Sequence, residues 1–121
     1  MDVLHTAINV SDIDETAAFY EDLLGLHRTR EFEVDGVRNY CVGGGGTAEI
    51  QFREVAEPGD PAGIDHLSIA TDDVDATVAS AIEEWNSSVE MGPESVEDGV
   101  RLAFITDPEG YTVELIENSE S

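Results

Sequence analysis

The chain has 121 residues, of which 40% are hydrophobic, and this is the size of one compact domain. It contains a single cysteine, Cys41, and therefore has no internal disulfide. Five arginines and no lysine stand against 28 acidic residues, so the net charge is −23, and nucleic acid, which needs a basic footprint, is excluded as a partner. No apolar run approaches the roughly 20 residues that cross a bilayer. The composition therefore predicts a soluble, cytoplasmic protein with no membrane contact.

The acidic residues are spread through both halves of the chain and do not form one acidic tail. Mutual repulsion of so many charges opposes compaction in dilute buffer. At molar salt the Debye length falls to roughly 3 Å and the repulsion is screened. We therefore expect a protein from the salt-rich cytosol of a halophile.

The first half of the chain predicts a strand, a helix and three further strands. The helix is expected between Asp12, as its N-terminal cap, and Gly25, as its stop. Apolar residues at helical spacing support it, namely Ile13, Ala17, Tyr20 and Leu24. The strand-like runs that follow include NYCV and AEIQF.

The second half repeats the first. His66 and Asp73 match His5 and Asp12 at an offset of 61, and DGVR at 35–38 returns at 98–101, at an offset of 63. The second helix has its apolar stripe at Val74, Val78, Ile82 and Trp85. The predicted fold class is α+β, with two tandem βαβββ modules in one domain (1–121) that form a cupped sheet around a metal site. Module one is residues 1–54, the linker 55–63 and module two 64–121.

Strand alternation places one histidine and one glutamate of each module on the side opposite its helix. These are His5 and Glu49, in AEIQF, and His66 and Glu114, in VELIE, with the two glutamates 65 positions apart. Each residue alone is also compatible with a structural or solvated role. Their recurrence in both modules favours a divalent metal, because carboxylates that meet without a cation repel one another. Two nitrogens, two carboxylates and water suit nickel, cobalt or manganese, and zinc or iron are also compatible.

Over essentially its whole length the chain resembles the vicinal oxygen chelate superfamily. The resemblance rests on the paired modules and on the stretches AFYEDLLGL, at 18–26, and DPEGYTVEL, at 107–115. Within the superfamily, the positions of His5, Glu49, His66 and Glu114 look like the metal ligand set of glyoxalase I. The resemblance implies a lyase that converts the hemithioacetal of methylglyoxal and a cellular thiol to an S-lactoyl thioester, by proton transfer through an enediolate. Glu114 is then the first choice for the base, with Glu49 as its partner.

The resemblance also implies a thiol cosubstrate and a homodimer with shared sites, in which His5 and Glu49 of one chain meet His66 and Glu114 of the other. Sites inside one chain are the alternative. Bacterial-type glyoxalase I commonly has an arginine at the position of Asn9 that helps to hold a glutathione carboxylate. Arg53, on the face of Glu49, is the candidate replacement. Arg38 and Arg101, which the repeat relates, are candidates for substrate contact or else solvated strand residues.

Other members of the superfamily stay open as alternatives. Methylmalonyl-CoA epimerases carry a glutamine where Glu49 stands, and Gln51 lies two residues further along the same face. Extradiol dioxygenases use two histidines and one glutamate on iron. Thiol transferases of the fosfomycin-resistance type and non-catalytic binding proteins of the bleomycin-resistance type share the same scaffold.

Overall fold

A computed structural model describes residues 3–59 and 64–118. The chain divides into two compact units, residues 1–60 and 61–121, and each unit holds one four-stranded sheet with helical structure after its first strand. The predicted α+β fold of two tandem βαβββ modules is confirmed. The division falls within the predicted linker, whose residues 60–63 lie outside the described part of the chain. No helix in the described ranges is long and apolar enough to cross a membrane.

The first unit forms a sheet in the order β1-β4-β3-β2, with β1 parallel to β4 and the other neighbours antiparallel. Its elements are β1 (His5–Val10), α1 (Ile13–Ala18), a π-helical segment (Phe19–Leu23), β2 (His27–Val34), β3 (Val37–Gly43) and β4 (Glu49–Glu54).

The second unit repeats this order as β5-β8-β7-β6, with β5 parallel to β8. Its elements are β5 (Leu67–Ala70), α2 (Val74–Trp85), β6 (Val89–Glu97), β7 (Val100–Thr106) and β8 (Thr112–Asn118).

The first helix begins and ends where the sequence predicts. The side chain of Asp12 accepts a hydrogen bond from the backbone N–H of Glu15 at 3.1 Å, and Gly25 has a φ of +72°, a left-handed conformation that glycine adopts without strain. The last helical turn is wider than α, because Phe19–Leu23 is π-helical. Leu24, predicted on the apolar stripe, is partly exposed.

The second helix confirms its predicted cap, since Asp73 accepts from the backbone N–H of Ala76 at 3.0 Å. The buried stripe of α2 differs from the predicted stripe at one position. Ala81 is fully buried, whereas Ile82 is 50% exposed. A period of 3.6 residues from Val74 and Val78 reaches the core again at residue 81, so the next residue is rotated toward solvent.

The last strand of each unit also caps the helix of the same unit. Glu54 accepts from the backbone N–H of Ile13 at 2.9 Å, and Glu117 accepts from that of Val74 at 2.9 Å. The unpaired N–H groups of a helix N-terminus favour such carboxylates. Glu54 and Glu117 lie 63 positions apart, which fixes the repeat offset in β4 and β8.

Candidate metal centre

One face of the first sheet carries the predicted ligands of module one. In the parallel ladder His5 pairs with Glu49, and Asn9 pairs with Arg53; ladder partners project to the same face of a sheet. The opposite face packs under the helix, as the full burial of Val10 and Phe52 shows. The predicted alternation is therefore confirmed.

Glu49 is held by two consecutive residues of β2. A register shift between Arg28 and Arg30 marks a β-bulge; there the hydroxyl of Thr29 donates to Glu49, and Arg30 Nε lies 3.4 Å from Glu49 Oε1. The hydrogen bond from Thr29, with smaller contributions from the charges of Arg30 and His5, holds the pKa of Glu49 below its usual range despite partial burial. Sequence reasoning missed Thr29 and Arg30 because a bulge breaks the two-residue alternation.

The ligands predicted in module two lie close together. His66 Nε2 is 3.5 Å from Glu114 Oε1, and the hydroxyl of Ser68 donates to the same oxygen at 3.0 Å. Two cis ligand atoms, each about 2.1 Å from one octahedral ion, are about 3 Å apart. The observed separation is close to what a divalent cation requires.

The strand ladders correct one part of the predicted ligand set. Ala7 pairs with Gln51 in the first unit, and Ser68 pairs with Glu114 in the second. Ala7 and Ser68 are equivalent in the repeat, so the counterpart of Glu114 is Gln51, at the offset of 63. The predicted equivalence of Glu49 and Glu114 is wrong, although Glu49, as the ladder partner of His5, stays a predicted ligand.

Gln51 is already oriented by its neighbours. Its amide nitrogen donates to Asn39 Oδ1 at 2.9 Å, and Asn39, which is only 2% exposed, donates in turn to the carbonyl oxygen of Val37 at 3.0 Å. With its nitrogen engaged in this way, Gln51 would offer its carbonyl oxygen to a ligand. Amide oxygen is an acceptable donor to a hard divalent cation.

The repeat-related arginines lie on the helix side of their sheets. Arg38 Nη1 is 3.0 Å from Asp14 Oδ1 of α1, and Arg101 Nε is 2.7 Å from Asp75 Oδ2 of α2. This face is opposite to that of the predicted ligands in each unit. This placement, on partly exposed side chains, favours the alternative of solvated strand residues over substrate contact.

Arg53 lies on the ligand face of the first unit. Its Nη1 donates to Asn9 Oδ1 at 2.8 Å. Two of the four predicted substrate-binding residues, Asn9 and Arg53, are therefore brought together.

A second group of acidic residues could hold an ion, with ligand atoms all within 4.8 Å of one another: Asp73, Asp75 and Glu117. Each carboxylate has a structural partner. Asp73 and Glu117 accept from backbone N–H groups of α2, and Asp75 pairs with Arg101. The cluster is accounted for as a helix cap, and it contains none of the predicted ligands.

Each of the two βαβββ units carries a predicted histidine ligand and predicted oxygen ligands on the sheet face opposite its helix. The chain belongs to the Glyoxalase/Bleomycin resistance protein/Dioxygenase superfamily, whose family model matches residues 2–115.

Its relatives include lactoylglutathione lyases. The enzyme of that name from Haemophilus influenzae is 33% identical, with 100% of this chain and 96% of the relative covered. The one from Salmonella typhimurium is 30% identical, with the same coverage of both chains.

Solved structures show the same fold. Glyoxalase I of Leishmania major, described as trypanothione-dependent, superposes with a TM-score of 0.78 at 28% identity, covering 97% of this chain and 86% of that one. TnmS3, an antibiotic binding protein from a Streptomyces species, superposes with a TM-score of 0.76 at 25% identity, covering 98% of this chain and 97% of that one.

Proposed function

We propose that the chain is a glyoxalase I-like lyase, which converts the hemithioacetal of methylglyoxal and a thiol to an S-lactoyl thioester by proton transfer through an enediolate. The observation that carries the proposal is the 3.5 Å approach of His66 Nε2 to Glu114 Oε1 on the sheet face opposite α2. Relatives named lactoylglutathione lyase, matched over 96% of their length, support the same reaction class.

A divalent metal fits the donors that the described residues offer. The first unit offers the imidazole nitrogen of His5 with either the amide oxygen of Gln51 or the carboxylate oxygen of Glu49. The second unit offers the imidazole nitrogen of His66 and the carboxylate oxygen of Glu114. Mixed nitrogen and oxygen donors suit nickel, cobalt or manganese, with zinc or iron also compatible. When bound, the metal would stabilise negative charge that develops on the two vicinal oxygens of the substrate.

Glu114 is the proposed base that removes the carbon-bound proton and returns it to the neighbouring carbon. Ser68 donates to Glu114 Oε1 at 3.0 Å and so orients the carboxylate. Glu49, the second predicted catalytic carboxylate, is a weaker base, because Thr29 and Arg30 lower its pKa. Its charge suits a ligand or an electrostatic role better than proton abstraction.

The test is an assay of metal-loaded protein in molar salt with methylglyoxal and a panel of thiols, monitored by thioester formation. Thioester is expected with the wild type. Glu114→Gln, which keeps an oxygen ligand but removes the base, should lose at least about a hundredfold in kcat. Metal-loaded wild type that forms no thioester with any thiol would contradict the proposal.

The ladder position of Gln51 favours a second candidate, an epimerase of the methylmalonyl-CoA type. Such enzymes also move a proton at a carbon next to a polarised carbonyl. Incorporation of solvent deuterium into methylmalonyl-CoA, without thioester formation from methylglyoxal, would favour this candidate. Dioxygenase, thiol transferase and binding-protein activities stay alternatives that the resemblance leaves open. The homodimer stays a prediction of the resemblance, and the cytoplasmic location stays a prediction of the composition.

We further propose that Arg53 binds an anionic group of the thiol cosubstrate. Within residues 3–59 and 64–118, the other four arginines each lie within 4.0 Å of a carboxylate oxygen. Arg53 instead donates to the neutral amide of Asn9. Its charge is therefore available to a carboxylate that approaches the ligand face.

Arg53→Gln should raise KM for hemithioacetals of glutathione by about tenfold or more, because a charge-assisted hydrogen bond contributes about 1.5–3 kcal/mol. The value of kcat should change little. A neutral thiol serves as the control substrate and Arg28→Gln, on an exposed ion pair, as the control variant. An equal effect of Arg53→Gln on charged and neutral thiols would contradict the assignment.

A further inference from the structure

The imidazole of His66 is contacted on three sides. Its Nδ1 lies 2.7 Å from Asp65 Oδ2, and its Nε2 lies 3.5 Å from Glu114 Oε1. The ring of Phe104 meets it edge to face, with centroids 5.4 Å apart and an interplanar angle of 81°. Phe104 is also the ladder partner of Glu114, so it borders both predicted ligands of this unit.

The contact with Asp65, whose side chain is exposed, favours one tautomer of the neutral His66 ring. A carboxylate can only accept, so the proton of this hydrogen bond belongs to Nδ1 of His66. The lone pair of the neutral ring is then on Nε2, the atom that faces Glu114. A hydrogen bond of this kind fixes the tautomer of a metal-ligating histidine and raises its basicity.

We propose that Asp65 and Phe104 are positioning residues, which orient His66 so that Nε2 is its metal-binding atom. Asp65 supplies the acceptor that selects the tautomer, and Phe104 limits rotation of the ring. The proposal rests on the metal centre of the proposed function.

The arrangement is specific to the second unit. The counterpart of Asp65 in the repeat is Leu4, which is 64% exposed and has no acceptor in its side chain. The counterpart of Phe104 is Cys41, which pairs with Gln51 as Phe104 pairs with Glu114. His66 is therefore the histidine whose ring these two side chains orient in advance of metal binding, and we expect it to contribute more to affinity than His5.

The experiment compares wild type, Asp65→Ala, Asp65→Asn and Phe104→Leu, with Asp98→Ala as the control for loss of an exposed negative charge. Nitrogen-15 NMR of the metal-free protein, at a pH where imidazoles are neutral, reports the tautomer of His66. Competition with a chelator reports the dissociation constant for Co²⁺. Both measurements are made in molar salt, and neither requires turnover.

Wild type should show the Nδ1–H tautomer, and Asp65→Ala should shift His66 toward Nε2–H and weaken Co²⁺ binding by about tenfold. Asp65→Asn, which keeps an oxygen acceptor, should retain part of the Nδ1–H tautomer and part of the Co²⁺ affinity. Phe104→Leu should weaken Co²⁺ binding without changing the tautomer. Asp98→Ala should leave both unchanged.

An unchanged tautomer in Asp65→Ala would overturn the proposal, as would a changed tautomer with unchanged Co²⁺ affinity. Wild type that binds no Co²⁺ would overturn both this proposal and the metal centre. A tenfold loss of affinity in a protein that forms no lactoyl thioester would support the positioning role and contradict the proposed reaction alone.

Discussion

Alanine at His66 or at His5 is expected to lower the affinity for a divalent cation by more than about a hundredfold. Each substitution removes a proposed ligand nitrogen, and changes to residues that only support a ligand already cost 10- to 100-fold. Chelator competition with Ni²⁺ or Co²⁺ measures the effect. Because His5 and His66 are at least partly exposed at their positions, the variants should fold, and circular dichroism of the metal-free proteins checks this.

The oxygen ligand of the first unit is decided by the same measurement. The ladder register, which makes Gln51 the counterpart of Glu114, predicts a larger loss of affinity for Gln51→Ala than for Glu49→Ala. Gln51→Glu should bind the cation at least as tightly as wild type, since it gives the first unit a carboxylate equivalent to Glu114 in the second unit. Loss of the metal in Glu49→Ala, with affinity unchanged in Gln51→Ala, would favour the ligand set predicted from sequence and contradict the one based on register.

Much of the fold could be predicted from local chemistry. Asp12 and Asp73 were identifiable as caps because an aspartate before an apolar periodic segment satisfies orphan N–H groups. The two faces of β1 were identifiable because Ile8 and Val10 alternate with polar or small residues, and the structure buries both. These features depend on residues close together in sequence.

Other features of the site depend on pairing between distant strands. The sequence relates Glu49 to Glu114 because both are glutamates, whereas the strand pairing makes Gln51 the equivalent of Glu114, since Gln51 pairs with Ala7 and Glu114 pairs with Ser68. A shift of two residues preserves the face of a strand, so alternation could not distinguish Glu49 from Gln51. The discrepancy of two between the offsets of 63 and 65 was the available signal.

The sequence also could not indicate which face of β3 carries Arg38. Its strand β3 has fully buried residues on both faces, with Val42 on one and Cys41 on the other. Such a strand has no polar and apolar alternation to read. The ion pair with Asp14, which identifies the face, depends on where α1 packs.

The free energy of unfolding is expected to fall steeply as potassium chloride is lowered from molar to millimolar concentration. Most of the 28 acidic residues lack a cationic partner, since the chain has only five arginines. At about 0.01 M salt the Debye length is about 30 Å, so charges repel one another across a whole small domain. Thermal and urea denaturation at a series of salt concentrations, with sucrose as a control for solvent exclusion, measure the effect.

Repulsion among the carboxylates can be reduced at one place on the surface, to test whether it causes the loss of stability at low salt. Glu83 and Glu84 are exposed near the end of α2, whose last turn contains no basic residue. Negative charge is unfavourable there because of the helix dipole. The double substitution Glu83→Lys and Glu84→Lys should stabilise the protein by about 1 kcal/mol or more at low salt, and by less at molar salt where the charges are screened. Replacement of both by glutamine should give a smaller gain with the same salt dependence.

A gain that does not depend on salt, or a wild-type melting temperature that stays constant from millimolar to molar potassium chloride, would mean that repulsion among carboxylates does not limit the stability of this fold.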